Sequence, residues 1–258
     1  MKVLMIADIF SEPGRQLVRD LLPGVKEKYS ADICIANGEN VAGGFGLTPK
    51  TAGQLFSSGV DILTMGNHVW DRRDIFDIIE DERIIRPANY PPGVPGRGWG
   101  VFNLDKKTKV GVVNLAGRVY MSNIECPFRT ADKVIEEIKK QTNIIIVDMH
   151  AEVTSEKNAL GWYLDGRVSA VVGTHTHIPT ADERILPDGT AYITDMGMTG
   201  SLDSVIGIKK EIAIQRFLTQ MPIRFEAAND NVVLAGVVID IDTASGKATA
   251  IERIKVQS

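Results

Sequence analysis

The sequence predicts an α/β protein in which two sheets pack against each other. Two observations carry this. Short apolar runs rich in Val and Ile alternate with segments of helical periodicity, the pattern of strands covered on both faces. The C-terminal half is richer in strands than the N-terminal half, which calls for a second sheet beside the first.

Taken in order, the strands are expected at 2–8 (KVLMIAD), 31–37 (ADICIAN), 60–66 (VDILTMG), 109–115 (KVGVVNL), 143–149 (NIIIVDM), 168–173 (VSAVVG) and 190–195 (TAYITD). Between them, Leu17, Leu21 and Val25 recur every four residues on one helix, which Pro23 is expected to end or kink. Thr48 followed by Pro49 reads as an N-cap and first helical turn. The stretches DRRDIFDIIED (71–81) and TADKVIEEIKKQ (130–141) also have helical spacing. The last 28 residues read as two strands joined near ASGK (244–247). The Pro/Gly-rich segment NYPPGVPGRGWG (89–100) lies inside the alternating pattern, so it reads as a shaped loop and not a linker. One domain over 1–258 is therefore expected.

Lys and Arg total 29 against 33 Asp and Glu, a net charge of −4. That balance argues against long nucleic acid as the main partner, because such binding rests on many phosphate-neutralising cations. Cys34 and Cys126 form neither a ligand spacing nor a disulfide framework. The N-terminal apolar run stops at Asp8, too short for a signal peptide or membrane span, so a cytoplasmic protein is the expectation.

The polar residues carry the functional signal by position. Asp8 ends the first run, NGEN (37–40) the second and GNH (66–68) the third; DMH (148–150) and GTHTH (173–177) end later ones. All four histidines, His68, His150, His175 and His177, thus follow strand-like runs, on the edge where open α/β sheets bind ligands. His175 and His177, two apart, share one face if the strand continues through them. Imidazole, carboxylate and carboxamide together suit Fe, Mn or Zn, and are too rich in nitrogen for a Ca²⁺ cage. The candidates Asp8, Glu39, Asn40, Asn67, His68, His150, His175 and His177 oversupply one ion. Two ions about 3.5–4 Å apart, sharing a carboxylate, would use the set. Such a centre keeps about one positive charge beside a bound hydroxide, enough to favour a phosphate in an acidic protein.

The series D…GEN…GNH…H…GTHTH resembles the calcineurin-like metallophosphoesterase superfamily. The stretches NGENVAGGFGLT, TMGNHVWD and GTHTHIPTADERIL are similar to its YmdB-type phosphodiesterase branch. The resemblance implies a four-layer α/β/β/α sandwich: two packed mixed sheets flanked by helices. It implies that Asp8, Asn40 and His177 bind one metal, that Asn67, His150 and His175 bind the other, and that Glu39 bridges them. His68 is then the non-ligand general acid, with Asp71 near enough to orient it. The metals implied are Fe or Mn, with Zn and Mg also compatible. The substrates implied are cyclic nucleotides, chiefly 2′,3′-cyclic and with 3′,5′-cyclic left open, opened by in-line attack of a metal-bridging hydroxide.

Two departures from the superfamily pattern favour that branch. Phe10 stands where a metal-binding histidine is usual, and GEN replaces the aspartate motif, leaving Asn40 to supply the missing ligand.

Loops around 89–100 and 117–130 are expected to shape the pocket, with Tyr90, Arg97, Trp99, Arg118 and Tyr120 as substrate-binding candidates; the turn at 195–201 is a further one. The alternatives are a phosphomonoesterase or protein phosphatase of the same superfamily, and a non-catalytic, metal-stabilised nucleotide sensor. The second sheet offers an edge or face for self-association.

Overall fold

Residues 1–257 are described by a computed structural model. An eight-stranded sheet is built around the parallel strands Lys2–Ile6, Ile33–Asn37, Ile62–Thr64 and Ile84–Ile85. The long strand Val232–Ile241 runs antiparallel to Lys2–Ile6 and carries the hairpin partner Ala248–Gln257. Met198–Ser201 pairs with Val232–Ile241 on one side and with the two-residue strand Asp8–Ile9 on the other. The second, six-stranded sheet has four parallel strands: Ala191–Ile193, Ala170–Thr174, Ile145–His150 and Lys109–Ala116. Its antiparallel edges are Arg184–Ile185 and Trp99–Asn103. Both sheets are mixed, as expected.

The layering follows from side-chain alternation. In the first strand Val3, Met5 and Ala7 face the second sheet, where they meet Val110, Val112, Ile146, Ala170 and Val172. Leu4 and Ile6 point the other way, toward helices Ser11–Tyr29 and Pro49–Ser57. The second sheet repeats this: Ile145, Val147 and Val171 pack on helices Pro127–Lys139 and Thr154–Leu164. Three apolar clusters thus separate four layers, helices outside and sheets inside. Removing one such buried aliphatic side chain costs about 2–5 kcal/mol.

Local chemistry sets the helix ends. Thr48 caps Pro49–Ser57 with a reciprocal capping box to Thr51. Helix Ser11–Tyr29 has no side-chain cap; Ser11 N–H instead donates to Asn40 O at 2.9 Å, which ties the helix to the NGEN turn. It runs through Pro23 without ending there, because Leu22 and Val25 on either side are both buried. The expected helix at 71–81 is a correction: only Arg73–Asp77 is helical, and it is 3₁₀. Burying Ile75 and Ile79 is enough to satisfy the spacing that suggested a longer α-helix. Helix Pro127–Lys139 also starts inside the segment read as a loop, so Phe128 packs on the outer core against Tyr163. No described helix is long and apolar enough to cross a membrane.

Candidate metal centre

Parallel strands present their C-terminal ends at a common edge, and in this fold the edges of both sheets meet. The first sheet contributes Asp8, then Glu39 and Asn40 after Ile33–Asn37, then Asn67 and His68 after Ile62–Thr64. The second contributes His150, the last residue of Ile145–His150, then His175 and His177 just past Ala170–Thr174. These side chains form one connected cluster. His150 Nε2 lies 2.9 Å from Glu39 Oε1, 3.1 Å from Asn67 Oδ1 and 3.0 Å from His175 Nδ1. Asn40 Nδ2 is 3.1 Å from His177 Nε2 and 3.4 Å from Glu39 Oε1. His177 Nε2 is 3.8 Å from Asp8 Oδ1.

The strand alternation expected for GTHTH does not hold. The strand ends at Thr174, and His175 and His177 take positive φ values of 94° and 63°, sparsely populated for residues with a Cβ. Thr176, between them, turns away and is pinned: its N–H and Oγ1 both donate to Asp195 Oδ2, at 3.1 and 2.6 Å. Asp195 is in turn neutralised by Lys157 at 2.6 Å, both fully buried. His175 therefore faces His150, which also meets Asn67, while His177 faces Asn40 and Asp8.

Further bonds fix each ring. His150 Nδ1 meets Thr174 Oγ1 at 2.8 Å, and that hydroxyl donates to Asp148 at 2.7 Å. Asp148 is also bonded by Thr64 and Asn37, so a carboxylate of one sheet is held by two strands of the other. His177 Nδ1 donates to Ile206 O at 3.0 Å, and His175 Nε2 to Glu152 at 3.0 Å. These contacts leave His175 Nδ1, His177 Nε2 and His150 Nε2 for the cluster. Fixing ring tautomers in this way is what oriented metal ligands need.

The electrostatics match a cation site. Burial pushes the Asp8 carboxyl well above its usual range. Its Oδ1, buried, has no hydrogen-bond partner, a cost that a cation would relieve. Burial works against the Glu39 charge, but His150 outweighs it and holds Glu39 down at about 2. The same pair raises His150 to about 9 against its own desolvation. Burial and the charge on His150 lower His175 to about 3, and burial lowers His177. One oxygen or nitrogen each from Glu39, His150 and His175 lies within 4.8 Å of the other two. Hard oxygens mixed with imidazoles fit divalent Fe, Mn or Zn.

The His68 side chain stands apart from this polar cluster. Its backbone N–H donates to Glu39 Oε2 at 3.0 Å, and its Nδ1 lies 2.7 Å from Asp71 Oδ2. It lines a cavity of about 370 Å³ above Glu39, Asn40, His175 and His177, within the range of small-ligand sites.

A family described as YmdB-like protein matches residues 4–254. The chain belongs to the YmdB-like family. The 2′,3′-cyclic-nucleotide 2′-phosphodiesterase of Bacillus subtilis (strain 168) is 51% identical over 257 residues, covering 99% of this chain and 97% of that protein. A Thermus thermophilus crystal structure, described as a hypothetical protein, superposes with a TM-score of 0.93 at 41% identity, covering 99% of both chains. A Mycoplasma pneumoniae structure described as a novel phosphatase gives a TM-score of 0.93 at 36% identity, covering 99% of this chain and 93% of that one. The four-layer sandwich is thus the fold of this YmdB-like chain.

In this YmdB-like protein the five loop candidates are absent from the cavity lining, although burial, joined by the Glu39 and Asp71 charges within reach of Tyr90, pushes the Tyr90 hydroxyl up. Tyr90 packs edge-on against Trp70 beside the first core. Arg97 and Trp99 line a separate groove with Arg86, and Trp99 leans on the outer core of the second sheet. Arg118 is exposed, with its N–H on Glu156, and Tyr120 is 88% exposed. None lines the cavity. Its walls come from Phe10 just past Asp8, from Gly43, Gly44 and Phe45 in the NGENVAGGFGLT stretch, and from Ile206, Ile208 and Phe225, which lie in no motif. The turn at 195–201 acts from behind, through Asp195 on Thr176.

Proposed function

We propose that the chain hydrolyses nucleoside cyclic phosphates, chiefly 2′,3′-cyclic ones, with a pair of divalent ions. Asp8, Asn40 and His177 hold one ion, Asn67, His150 and His175 the other, and Glu39 lies between them. The observation that carries this reading is the division of labour among four histidines. Three aim a ring nitrogen into one carboxylate-bearing cluster, while His68 lines the cavity beside it with its Nδ1 turned to Asp71. The chain is a phosphodiesterase, as its 51% identity to the Bacillus subtilis enzyme supports.

When bound, the two ions acidify a water and draw charge from the phosphoryl oxygens. The protein's own groups do the rest. Asn40 serves through its carbonyl oxygen, a half-turn of the amide from the arrangement that points Nδ2 at His177. Glu39 fixes the His68 backbone through one oxygen and His150 through the other, so one carboxylate sets the distance between acid and ligands. As water oxygen bonds to phosphorus, the phosphorus bond to the 2′ oxygen breaks. His68, protonated and held by Asp71 at Nδ1, gives the Nε2 proton to that oxygen.

A phosphomonoesterase reading is favoured by one observation, the description of the Mycoplasma pneumoniae structure as a phosphatase. Leaving-group preference separates the two. The metal-loaded wild type is expected to prefer bis(p-nitrophenyl) phosphate to p-nitrophenyl phosphate, to open 2′,3′-cyclic nucleotides, and to lose both activities in Glu39→Gln. Equal diesterase activity in Glu39→Gln overturns the proposal, and a preference for the monoester replaces it with the phosphatase reading.

A further inference from the structure

The cavity has two chemically distinct parts. Its floor is the polar cluster with His68; the rest is built from Phe10, Phe45, Ile206, Ile208, Phe225 and Ala227, with the carboxylates Glu152 and Glu226 also lining it. Among the described residues no lysine or arginine lines it. Arg216 lies over the Phe225 ring at 5.2 Å and Arg224 acts on Glu226, both from outside the lining, while other nearby cations are already engaged. Arg72 donates Nε to Phe45 O at 3.1 Å and Nη2 to Ala42 O at 2.6 Å, and Arg15 donates to Val41 O. Lys209 is held by Glu226 at 2.6 Å.

The two arginines fix the loop that carries Phe45. Gly43, Gly44 and Gly46 all have positive φ, at 74°, 100° and 72°, a path that residues with a Cβ rarely follow. Phe10 fills the space beneath: a Cβ on Gly44 would stand 3.3 Å from its ring. Phe45 itself stays 38% exposed, its ring edge-on to His68 at 5.1 Å. A large aromatic kept out of the core, on a clamped loop beside the general acid, presents a flat apolar face at little entropic cost.

We infer that this apolar arm is the nucleobase subsite, that Phe45 is its stacking face, and that the arm admits substrates whose only negative charge is the scissile phosphate. The inference rests on the phosphodiesterase reading. A second phosphate on the nucleoside would meet the carboxylates Glu152 and Glu226 in a lining without lysine or arginine, whereas a neutral base keeps the contacts of the aromatic wall. The favoured substrate class is therefore the free nucleoside 2′,3′-cyclic monophosphate, not the cyclic end of an oligonucleotide.

The test compares kcat/KM of the metal-loaded enzyme for three substrates: a nucleoside 2′,3′-cyclic phosphate, the same compound with an added 5′-phosphate, and the base-free five-membered cyclic phosphate of a 1,2-diol. The first is expected to exceed the base-free compound by about tenfold or more, the effect of one base–aromatic stack, and to exceed the 5′-phosphorylated compound through repulsion of the added phosphate by Glu152 and Glu226. Phe45→Ala is expected to shrink the ratio of nucleoside to base-free substrate about tenfold, and Phe45→Tyr to keep it. Glu226→Gln, which frees Lys209, is expected to narrow the penalty on the 5′-phosphate. An unchanged ratio in Phe45→Ala, or a 5′-phosphorylated substrate turned over as well as its parent, overturns the subsite while leaving the phosphodiesterase reading intact. A wild type that cleaves none of the three overturns both.

Discussion

His68 Nδ1 lies 2.7 Å from Asp71 Oδ2, a short contact between a half-buried imidazole and a more exposed carboxylate three residues on. The pair fixes the ring tautomer with Nε2 free for the cavity. Losing a general acid costs about 10²–10⁴ in rate. His68→Ala is therefore expected to lower kcat by that order on 2′,3′-cyclic nucleotides, and far less on bis(p-nitrophenyl) phosphate, whose leaving group needs no proton. Metal content by elemental analysis should match wild type. Equal losses on both substrates would show that His68 holds the site together and does not donate the proton. Asp71→Asn is expected to fall between wild type and His68→Ala.

Metal affinity should depend on pH through His150. In the metal-free protein Glu39, with Asp8 and Asp148, holds this imidazole protonated up to about pH 9, against an ordinary value of 6.5. A metal needs the neutral ring, so binding must release that proton. Affinity for Mn²⁺, followed by calorimetry, is expected to rise with pH between 6 and 8.5, by up to about tenfold per unit. Stability of the metal-free protein runs the opposite way. The His150 contribution is complete below pH 6.5 and lost as pH rises toward 9, so its Tm should fall across that window. A flat affinity profile would contradict the buried Glu39–His150 pair.

Gly66 is a position where backbone closeness protects the site. A Cβ there would stand 2.3 Å from both Glu39 Oε2 and His150 Nε2. Gly66→Ala is expected to keep the circular dichroism of the folded chain while losing bound metal and phosphodiesterase activity together. Wild-type metal content in this variant would refute the placement of Glu39 and His150 against the turn.

The buried pair Lys157–Asp195 holds Thr176, and through it the left-handed backbone on both sides. Asp195→Ala leaves an uncompensated buried ammonium, a change that costs about 3–5 kcal/mol. Denaturant unfolding should show this loss. The milder Thr176→Val keeps the ion pair and removes one bond; its expected effect is weaker metal binding at nearly unchanged stability, with Thr176→Ser restoring affinity. Unaltered affinity in Thr176→Val would remove Asp195 from the site's support.

What the sequence made legible follows from local periodicity and position. Strand interiors such as Val3–Ile6 and Ile145–Val147 are apolar on both faces, and their burial in two different clusters explains why they read so clearly. The placement of every histidine just past such a run is enough to point to one polar cluster. The geometry of GTHTH was not legible, because the positive φ of His175 and His177 is imposed by Asp195, which lies 18 residues beyond His177. Nor were the cavity walls. Phe45, Ile206 and Phe225 come from separate loops and meet only through packing, whereas Arg97 and Trp99 line a separate groove and Tyr90 packs on Trp70. At 71–81, two buried isoleucines mimicked a helix that the chain does not form.

The central claim is that one chain holds two ions, divided between His175 and His177. Elemental analysis of anaerobically purified protein, alongside His175→Ala and His177→Ala, tests it directly. The account predicts two equivalents of divalent metal, Fe or Mn, per wild-type chain, and about one in each variant. A fully active wild type with a single equivalent, or variants that lose the same ion, would contradict it.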